Sequence, residues 1–314
     1  MGQYLVRRLV LLVITLVGVT FLIFAILRLV PGGVENAILG DQASPADFAN
    51  LRHTLGLDKP IPVQYATWLS HLLHGDLGSS LVSHRVIGSD IRARLPVTLE
   101  LAGMALVISI LIAVPVGLLA AIRQDTIIDY GMRSLAIAVL SFPDFWVATL
   151  VITFGARFFG YAPPLTYIAP WENPVKNLQI MVPPAIILGA LLSGTVMRLT
   201  RTQMLDVLRQ DYIRTAWAKG LRERTLVWRH ALRNAAIPIV TIFGIQIPFL
   251  FGGSVILEQI FSVPGIGRYL ITAVNSRDFP VIQAVALMIA TAVIVANLVV
   301  DLAYAVLDPR IRLG

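Results

Sequence analysis

The sequence predicts an all-α integral membrane protein with six transmembrane helices, and three observations carry this prediction. Hydrophobic residues make up 57% of the 314 residues and charged residues only 14%, which is unlike an ordinary soluble domain. Six apolar runs are each about 20 residues long, the length that crosses a bilayer. Lys and Arg lie beside these runs and form no stripe, so the net charge of +7 indicates membrane orientation and no nucleic-acid partner.

The apolar runs place the spans in order along the chain. We predict spans at residues 9–29, 101–122, 134–156, 180–197, 237–257 and 281–306. The first follows Arg7 and Arg8, is too long for a signal peptide and lacks a small-residue cleavage site, so we expect a retained anchor. The third is interrupted at Pro143, where a broken helix is expected. Cysteine is absent, which excludes disulfides and thiolate chemistry.

The connecting segments divide the chain into three predicted parts. Residues 1–93 hold the first span and a polar loop, in which 63–73 has an amphipathic pattern. Residues 94–306 form a five-helix core, and 307–314 form a tail. The core contains one long water-soluble stretch, Met204–Pro238, which we call the basic segment. It predicts a hairpin at about 203–236, in which two helices meet at Gly220, a helix C-cap residue.

The distribution of Lys and Arg predicts orientation. With both termini cytoplasmic, the cytoplasmic segments carry 15 Lys and Arg, against 4 in the short loops on the other side. The long first loop is not counted because long loops translocate largely regardless of charge. We therefore expect both termini and the basic segment on the cytoplasmic side.

The sequence lacks the motifs of several enzyme classes. None of the three lysines follows a glycine, which excludes a GxxxxGK[ST] phosphate loop, and HExxH is absent. Ser193 has no glycine two positions before it, which disfavours a GxSG serine protease. His71 and His74 could share a helix face and bind a metal, but no completing ligand is evident, so we predict interfacial polar residues and no metal site.

Motifs along the whole chain resemble the permeases of binding-protein-dependent ABC importers, specifically the Dpp/Opp B-type permeases of the peptide/nickel branch. Residues 214–220 (RTAWAKG) occupy the place of the EAA-xxx-G loop of those permeases. Other motifs of that branch are 55–58 (LGLD), 75–78 (GDLG), 95–100 (LPVTLE), 211–216 (DYIRTA), 230–234 (HALRN), 264–268 (PGIGR) and 307–312 (LDPRIR). Arg214 and Thr215 replace the Glu and first Ala of the general motif, as in that branch, while 31–34 (PGGV) departs from the common PGDP.

The resemblance implies a type I ABC importer transmembrane domain in a prokaryotic inner membrane, with a non-catalytic role. The implied partners are a paralogous permease subunit, two ATP-binding subunits and an extracytoplasmic substrate-binding protein, besides membrane lipid. ATP and Mg would be used by the partner ATPase, and this chain would bind no cofactor. The implied cargo is a di- or oligopeptide, with nickel chelate, glutathione and oligosaccharide as alternatives within the same branch.

The basic segment is the implied coupling site for the ATPase. Ile213, Ala216 and Trp217 lie at helical spacing and predict an apolar ridge, while Arg214 and Lys219 can pair with acidic groups of a partner. The alternative is an ordinary basic loop that follows the positive-inside bias. The residues assigned to coupling are Asp211, Tyr212, Ile213, Arg214, Thr215, Ala216, Trp217, Lys219 and Gly220.

Polar residues inside the spans are the second candidate set. Intramembrane charges are costly, so they usually face a cavity or a partner. Asp144 is predicted to line the translocation path or to pair structurally, and Asp301 to fix the end of the last span. Gln246 and Asn297 are candidate path or interhelical contacts. These residues also permit another function, an ion-coupled secondary transporter that carries protons on Asp144 and Asp301.

Overall fold

A computed structural model describes residues 2–29, 35, 38–39, 44–54, 56–164 and 166–307. Its regular structure is helical, and one isolated antiparallel bridge joins Ser79 to Val86. The helices are α1 (Gly2–Arg28), α2 (Pro45–Thr54), α3 (Ile61–Leu73), α4 (Ile87–Ile122), α5 (Ile127–Ser141), α6 (Asp144–Phe159), α7 (Pro174–Leu208), α8 (Asp211–Ala218), α9 (Glu223–Ile260), α10 (Ile266–Asn275) and α11 (Phe279–Leu307).

Five of these helices, α1, α4, α7, α9 and α11, are long and apolar enough to cross a membrane. The broken pair α5 and α6 makes a sixth span if it is counted as one, which agrees with the six predicted spans. Its two halves meet at 93° across Phe142 and Pro143. Pro143 has no N–H to donate and forces the preceding residue out of the helical region, so the predicted break is confirmed.

Several helices are longer than the apolar runs that revealed them. Helix α4 begins at Ile87, inside the predicted polar loop, and α9 begins at Glu223 and continues through Pro238 to Ile260. At 36 and 38 residues, they extend to about 54 and 57 Å, well beyond a hydrocarbon core of about 30 Å. The second helix predicted in the basic segment therefore begins at Glu223 as expected, but it is the polar start of a span and does not end within the segment.

One compact unit comprises Met1–Val97 with Pro264–Leu298. Its core joins the start of α4 to α10 and the start of α11 through buried aliphatic side chains, among them Ile87, Ile266 and Val285. Polar contacts tie its loops: buried Asp278 accepts hydrogen bonds from the Ser80 hydroxyl and the Leu81 N–H.

The second compact unit comprises Thr98–Val263 with Val299–Gly314. Helix α7 is its centre, packing against α5, α6 and α9. Glycines bring the helices together: a Cβ on Gly189 would lie 2.6 Å from the Ala105 carbonyl oxygen, and one on Gly117 2.6 Å from that of Met197. Helices that approach this closely gain dispersion contacts, which is how membrane helices associate.

Candidate functional site

The short helix α8 (Asp211–Ala218) ends in a glycine stop. Gly220 has a φ of +80°, a left-handed conformation that costs glycine little. The N–H of Gly220 donates to the Trp217 carbonyl at 2.9 Å, and the N–H of Leu221 to the Ala216 carbonyl at 3.3 Å. These are the two hydrogen bonds of a Schellman cap, so the glycine stop that the sequence predicts is confirmed.

One face of α8 packs on its own chain. Ile213 is 4% exposed and belongs to the apolar cluster that holds Met204 and Val207 from the end of α7 and Leu226 and Val227 from α9. Ala216 packs against the same cluster. The prediction of an apolar ridge offered to a partner is therefore wrong for Ile213, because its side chain anchors the helix internally.

The rest of α8 is open to solvent. Trp217 is 60% exposed, a large area for an indole, and Lys219 is also exposed. Arg214 and Asp211 are 3.6 Å apart, with side-chain exposures of 75% and 97%, so the pair is solvated. Exposed Thr215 bonds backward along the helix, to the Asp211 carbonyl. The helix thus presents one aromatic ring surrounded by solvated charges, a surface suited to docking.

Two features hold α8 in place from the sides. The Tyr212 hydroxyl accepts a hydrogen bond from the Asn234 amide on α9 at 2.6 Å. Helix α9 has a π-helical turn at Leu226–Ala231, which overlaps the start of the HALRN motif, and this turn directs Leu226, Val227 and Ala231 into the core. A π turn inside an α-helix is often found at functional sites.

A buried ion pair joins α7, the helix that leads into α8, to α5. Arg201 donates from Nε and Nη2 to the two carboxylate oxygens of Asp129 at 2.7 and 2.6 Å. The Asp129 side chain is fully buried, and it also accepts from the Asp125 N–H at 3.1 Å. The pair joins the start of α5 to the end of α7. It was not predicted from the sequence, since Asp129 lies in a segment that has the polar pattern of a loop.

The predicted intramembrane residues lie in different environments. Asp144 begins α6 at the helix break, and its carboxylate accepts from the Phe145 N–H at 2.7 Å. Gln246 is 7% exposed, with its amide nitrogen 3.5 Å from the Leu192 carbonyl oxygen and its own oxygen lacking a described partner, which favours an interhelical contact. Asn297 is exposed on α11, and the side chain of Asp301 lies outside the described residues, as do 31–34 and 308–312. The path assignments therefore stay predictions.

Comparison with known proteins identifies the family. The model of the inner membrane component of binding-protein-dependent transport systems matches residues 113–313, and the model of its N-terminal part matches 1–102. The chain belongs to this family. The dipeptide transport system permease protein DppB of Alkalihalophilus pseudofirmus is 38% identical over 99% of this chain and 100% of that protein. DppB of Escherichia coli K12 is 38% identical over 99% of both chains. A putative peptide transport system permease protein of Brucella abortus is 40% identical over 94% of both.

A solved structure agrees with the type I ABC importer fold. The crystal structure of an amino acid ABC transporter with histidines aligns with a TM-score of 0.50 and 17% identity, covering 77% of this chain and 98% of that chain. The chain is thus a permease subunit of an ABC importer in the inner membrane, a non-catalytic component. The relatives do not favour the alternative of an ion-coupled secondary transporter.

Two hydrogen-bonded carboxylates of the permease were not predicted from the sequence. Glu258, near the end of α9, is fully buried and accepts a hydrogen bond from Thr98 at 2.7 Å. Glu100 on α4 accepts from the Tyr167 hydroxyl at 2.6 Å, which ties the loop before α7 to a spanning helix. Burial, and then the neighbouring Glu100, raise the pKa of Tyr167 and keep it a donor. Each glutamate lies at the edge of an apolar run, and that position was the signal available in the sequence.

The histidines of the first loop have ordinary partners. His71 Nδ1 lies 2.9 Å from an Asp76 carboxylate oxygen, and His74 Nδ1 donates to the Ser70 carbonyl at 2.7 Å. They do not converge on a common point. Among the residues that the structure describes, no group of three or more His, Asp or Glu side chains could hold a metal ion.

Proposed function

We propose that this permease subunit forms part of the translocation path for dipeptides or short oligopeptides. Relatives that are named for dipeptide or peptide transport cover nearly the whole chain, which supports this cargo class. A substrate-binding protein would deliver the peptide to the loops on the extracytoplasmic side. In this proposal both termini and α8 are cytoplasmic, as the 15 basic residues against 4 indicate.

We further propose that two ATP-binding subunits drive the importer and that one of them docks on α8. A second, paralogous permease subunit would complete the pore. ATP and Mg would be bound by the ATPase, and this chain would bind neither. The observation that carries the coupling proposal is the two-sided character of α8: Ile213 is buried in its own chain, whereas Trp217 and Lys219 are exposed beside it.

The exposed face of α8 offers positions where a charge can be changed without disturbing the core. Ala218 is exposed, whereas Ala216 packs on the core, so a charge at Ala218 should block docking and leave the fold intact. We expect Ala218→Glu and Lys219→Glu to reduce both copurification of the ATPase and uptake of a labelled dipeptide by about tenfold or more, the usual cost of disrupting a hot-spot region.

The control is Lys176→Glu, which makes the same charge change as Lys219→Glu at an exposed position at the start of α7. It should leave ATPase binding unchanged. Full ATPase binding by both α8 variants would overturn the coupling role. Normal ATPase binding in the native complex with no dipeptide uptake, but with uptake of another solute, would overturn only the cargo.

A further inference from the structure

The first unit contains a cavity of about 390 Å³, and none of the residues assigned to coupling lines it. Helix α3 forms one wall, the end of α1 and the start of α11 form others, and the loop at 76–81 closes it. Volumes of about 300–1,000 Å³ are typical of small-molecule sites. The residues that matter for its chemistry are Arg28, Lys59, Trp68, His71, Asp76 and Gln283.

The cavity wall presents hydrogen-bond donors that have no acidic partner among the described residues. Gln283 is 9% exposed, and its amide nitrogen is buried without a hydrogen bond. Leaving such a donor unsatisfied costs free energy that a ligand oxygen would recover. The described polar partners of the Arg28 guanidinium are neutral: the Gln64 amide oxygen at 2.9 Å and the Phe24 carbonyl at 3.4 Å. Lys59 also lines the cavity and is exposed.

The one carboxylate on the described wall, that of Asp76, already has hydrogen-bond partners. Asp76 is paired with His71 and also accepts from the Gly78 N–H at 2.8 Å. The hydrogen bond from His71, and then that from Gly78, lower the pKa of Asp76 and keep it ionised at neutral pH. Arg28 and Lys59 therefore leave the cavity with an excess of positive charge, which suits an anionic group.

The position of the cavity indicates the source of the anionic group that it would bind. Arg28 follows directly after the span Val6–Ile26, and the wall residues Phe279 and Pro280 begin the span Phe279–Val300, so the cavity lies at the level of a membrane surface. Helix α3 has no buried residue and exposes Ile61, Val63 and Leu73. A short helix that exposes apolar side chains next to a span is suited to the interfacial plane of a bilayer.

We propose that this cavity binds the phosphate-bearing headgroup of an anionic phospholipid. The phosphate oxygens accept a hydrogen bond from the Gln283 amide and meet the charges of Arg28 and Lys59, and Trp68 lies at the headgroup level where indoles concentrate. Positively charged side chains near the membrane surface attract anionic lipid headgroups. Such a lipid site is independent of the cargo of the importer.

The test measures lipid retention by the native complex. The permease is purified with the subunits that accompany it and reconstituted in phosphatidylcholine nanodiscs that contain graded amounts of phosphatidylglycerol. Mass spectrometry then counts the phosphatidylglycerol that remains after partial delipidation. We expect Lys59→Gln to weaken retention about fivefold. Gln283→Met should weaken it roughly tenfold, because the anion loses a buried donor.

Matched measurements keep the outcome clear. Lys176→Gln removes one exposed positive charge elsewhere and should retain the lipid as the wild type does. Without phosphatidylglycerol, Gln283→Met should unfold at the wild-type temperature or above it, since it removes an unsatisfied buried amide. Equal retention by all variants, or equal retention of phosphatidylcholine and phosphatidylglycerol by the wild type, would overturn the proposal. Variants that lose binding of labelled dialanine but retain the lipid would also overturn it, because the cavity would then be a solute site.

Discussion

Two Arg–Asp pairs differ in environment although both involve the region where α7 leads into α8. Arg201 and Asp129 make two short hydrogen bonds, with side-chain exposures of 19% and 0%. Arg214 and Asp211 are 3.6 Å apart, with exposures of 75% and 97%. Water screens the second pair, so its charges remain available to a partner, whereas the first pair has lost its water and must stay together.

The difference separates two regions: the connection between α5 and α7, which is held fixed, and α8, whose charged side chains are free to contact a partner. The start of α5 and the end of α7 are joined by a pair that cannot be broken without leaving a buried charge. Helix α8 follows immediately and offers its charges to solvent. In the proposed coupling role, a motion received by α8 would pass to helices that this ion pair connects.

The largest effect is expected at the buried pair. Asp129→Ala leaves the Arg201 guanidinium without its counter-charge, and we expect a loss of about 3 kcal/mol in the free energy of unfolding. Denaturant unfolding of the detergent-solubilised permease, followed by tryptophan fluorescence, measures this loss. Asp211→Ala is the matched control and should cause a change too small to resolve.

A double variant tests whether the cause is the uncompensated charge. Asp129→Leu combined with Arg201→Met removes both charges and should cost less than Asp129→Ala alone. Equal losses for Asp129→Ala and Asp211→Ala would break the distinction between the two regions.

The second-largest effect is expected at a packing contact of α7, where Gly189 lies against α4. A Cβ on Gly189 would meet the Ala105 carbonyl oxygen at 2.6 Å and Ile108 at 2.9 Å, both on α4. We expect Gly189→Ala to destabilise the permease by about 1–3 kcal/mol, because α4 and α7 must move apart. A Cβ on Gly103, also on α4, would have no atom within 4 Å, so Gly103→Ala should be neutral or slightly stabilising. Thermal unfolding of the two variants side by side measures the difference, and a fully stable Gly189→Ala variant would mean that this contact is loose.

The spans could be predicted from the sequence, but the ends of the helices could not. A bilayer requires about 20 apolar residues, so each span is visible as a run. A helix continues wherever its backbone hydrogen bonds continue, and hydropathy does not report that. For this reason α4 begins at Ile87 and α9 at Glu223, both in polar sequence.

The position of α8 and the residue at which it ends could be predicted from the sequence. Gly220 identified the end of α8 because few other residues tolerate its backbone conformation. Ile213 was misassigned because an apolar position on a short helix has the same pattern whether it faces its own chain or a partner. The Asp129–Arg201 pair was missed because nothing local in the sequence relates residues so far apart along the chain.

The smallest effect is expected at a third pair, exposed His71–Asp76, and it depends on pH. The hydrogen bonds from His71 and the Gly78 N–H lower the pKa of Asp76 below its ordinary value of about 3.9. A carboxylate with a lowered pKa stabilises the folded state above its unfolded-state pKa and loses that contribution as the pH falls through the folded-state pKa.

We therefore expect Asp76→Asn to lower the Tm slightly at neutral pH and to approach the wild type once the pH is below the folded-state pKa. Because both side chains are more than half exposed, the shift at neutral pH should be far smaller than that of Asp129→Ala. A difference between wild type and Asp76→Asn that grew on acidification would show that the His71–Asp76 hydrogen bond does not stabilise the folded state through the ionised carboxylate.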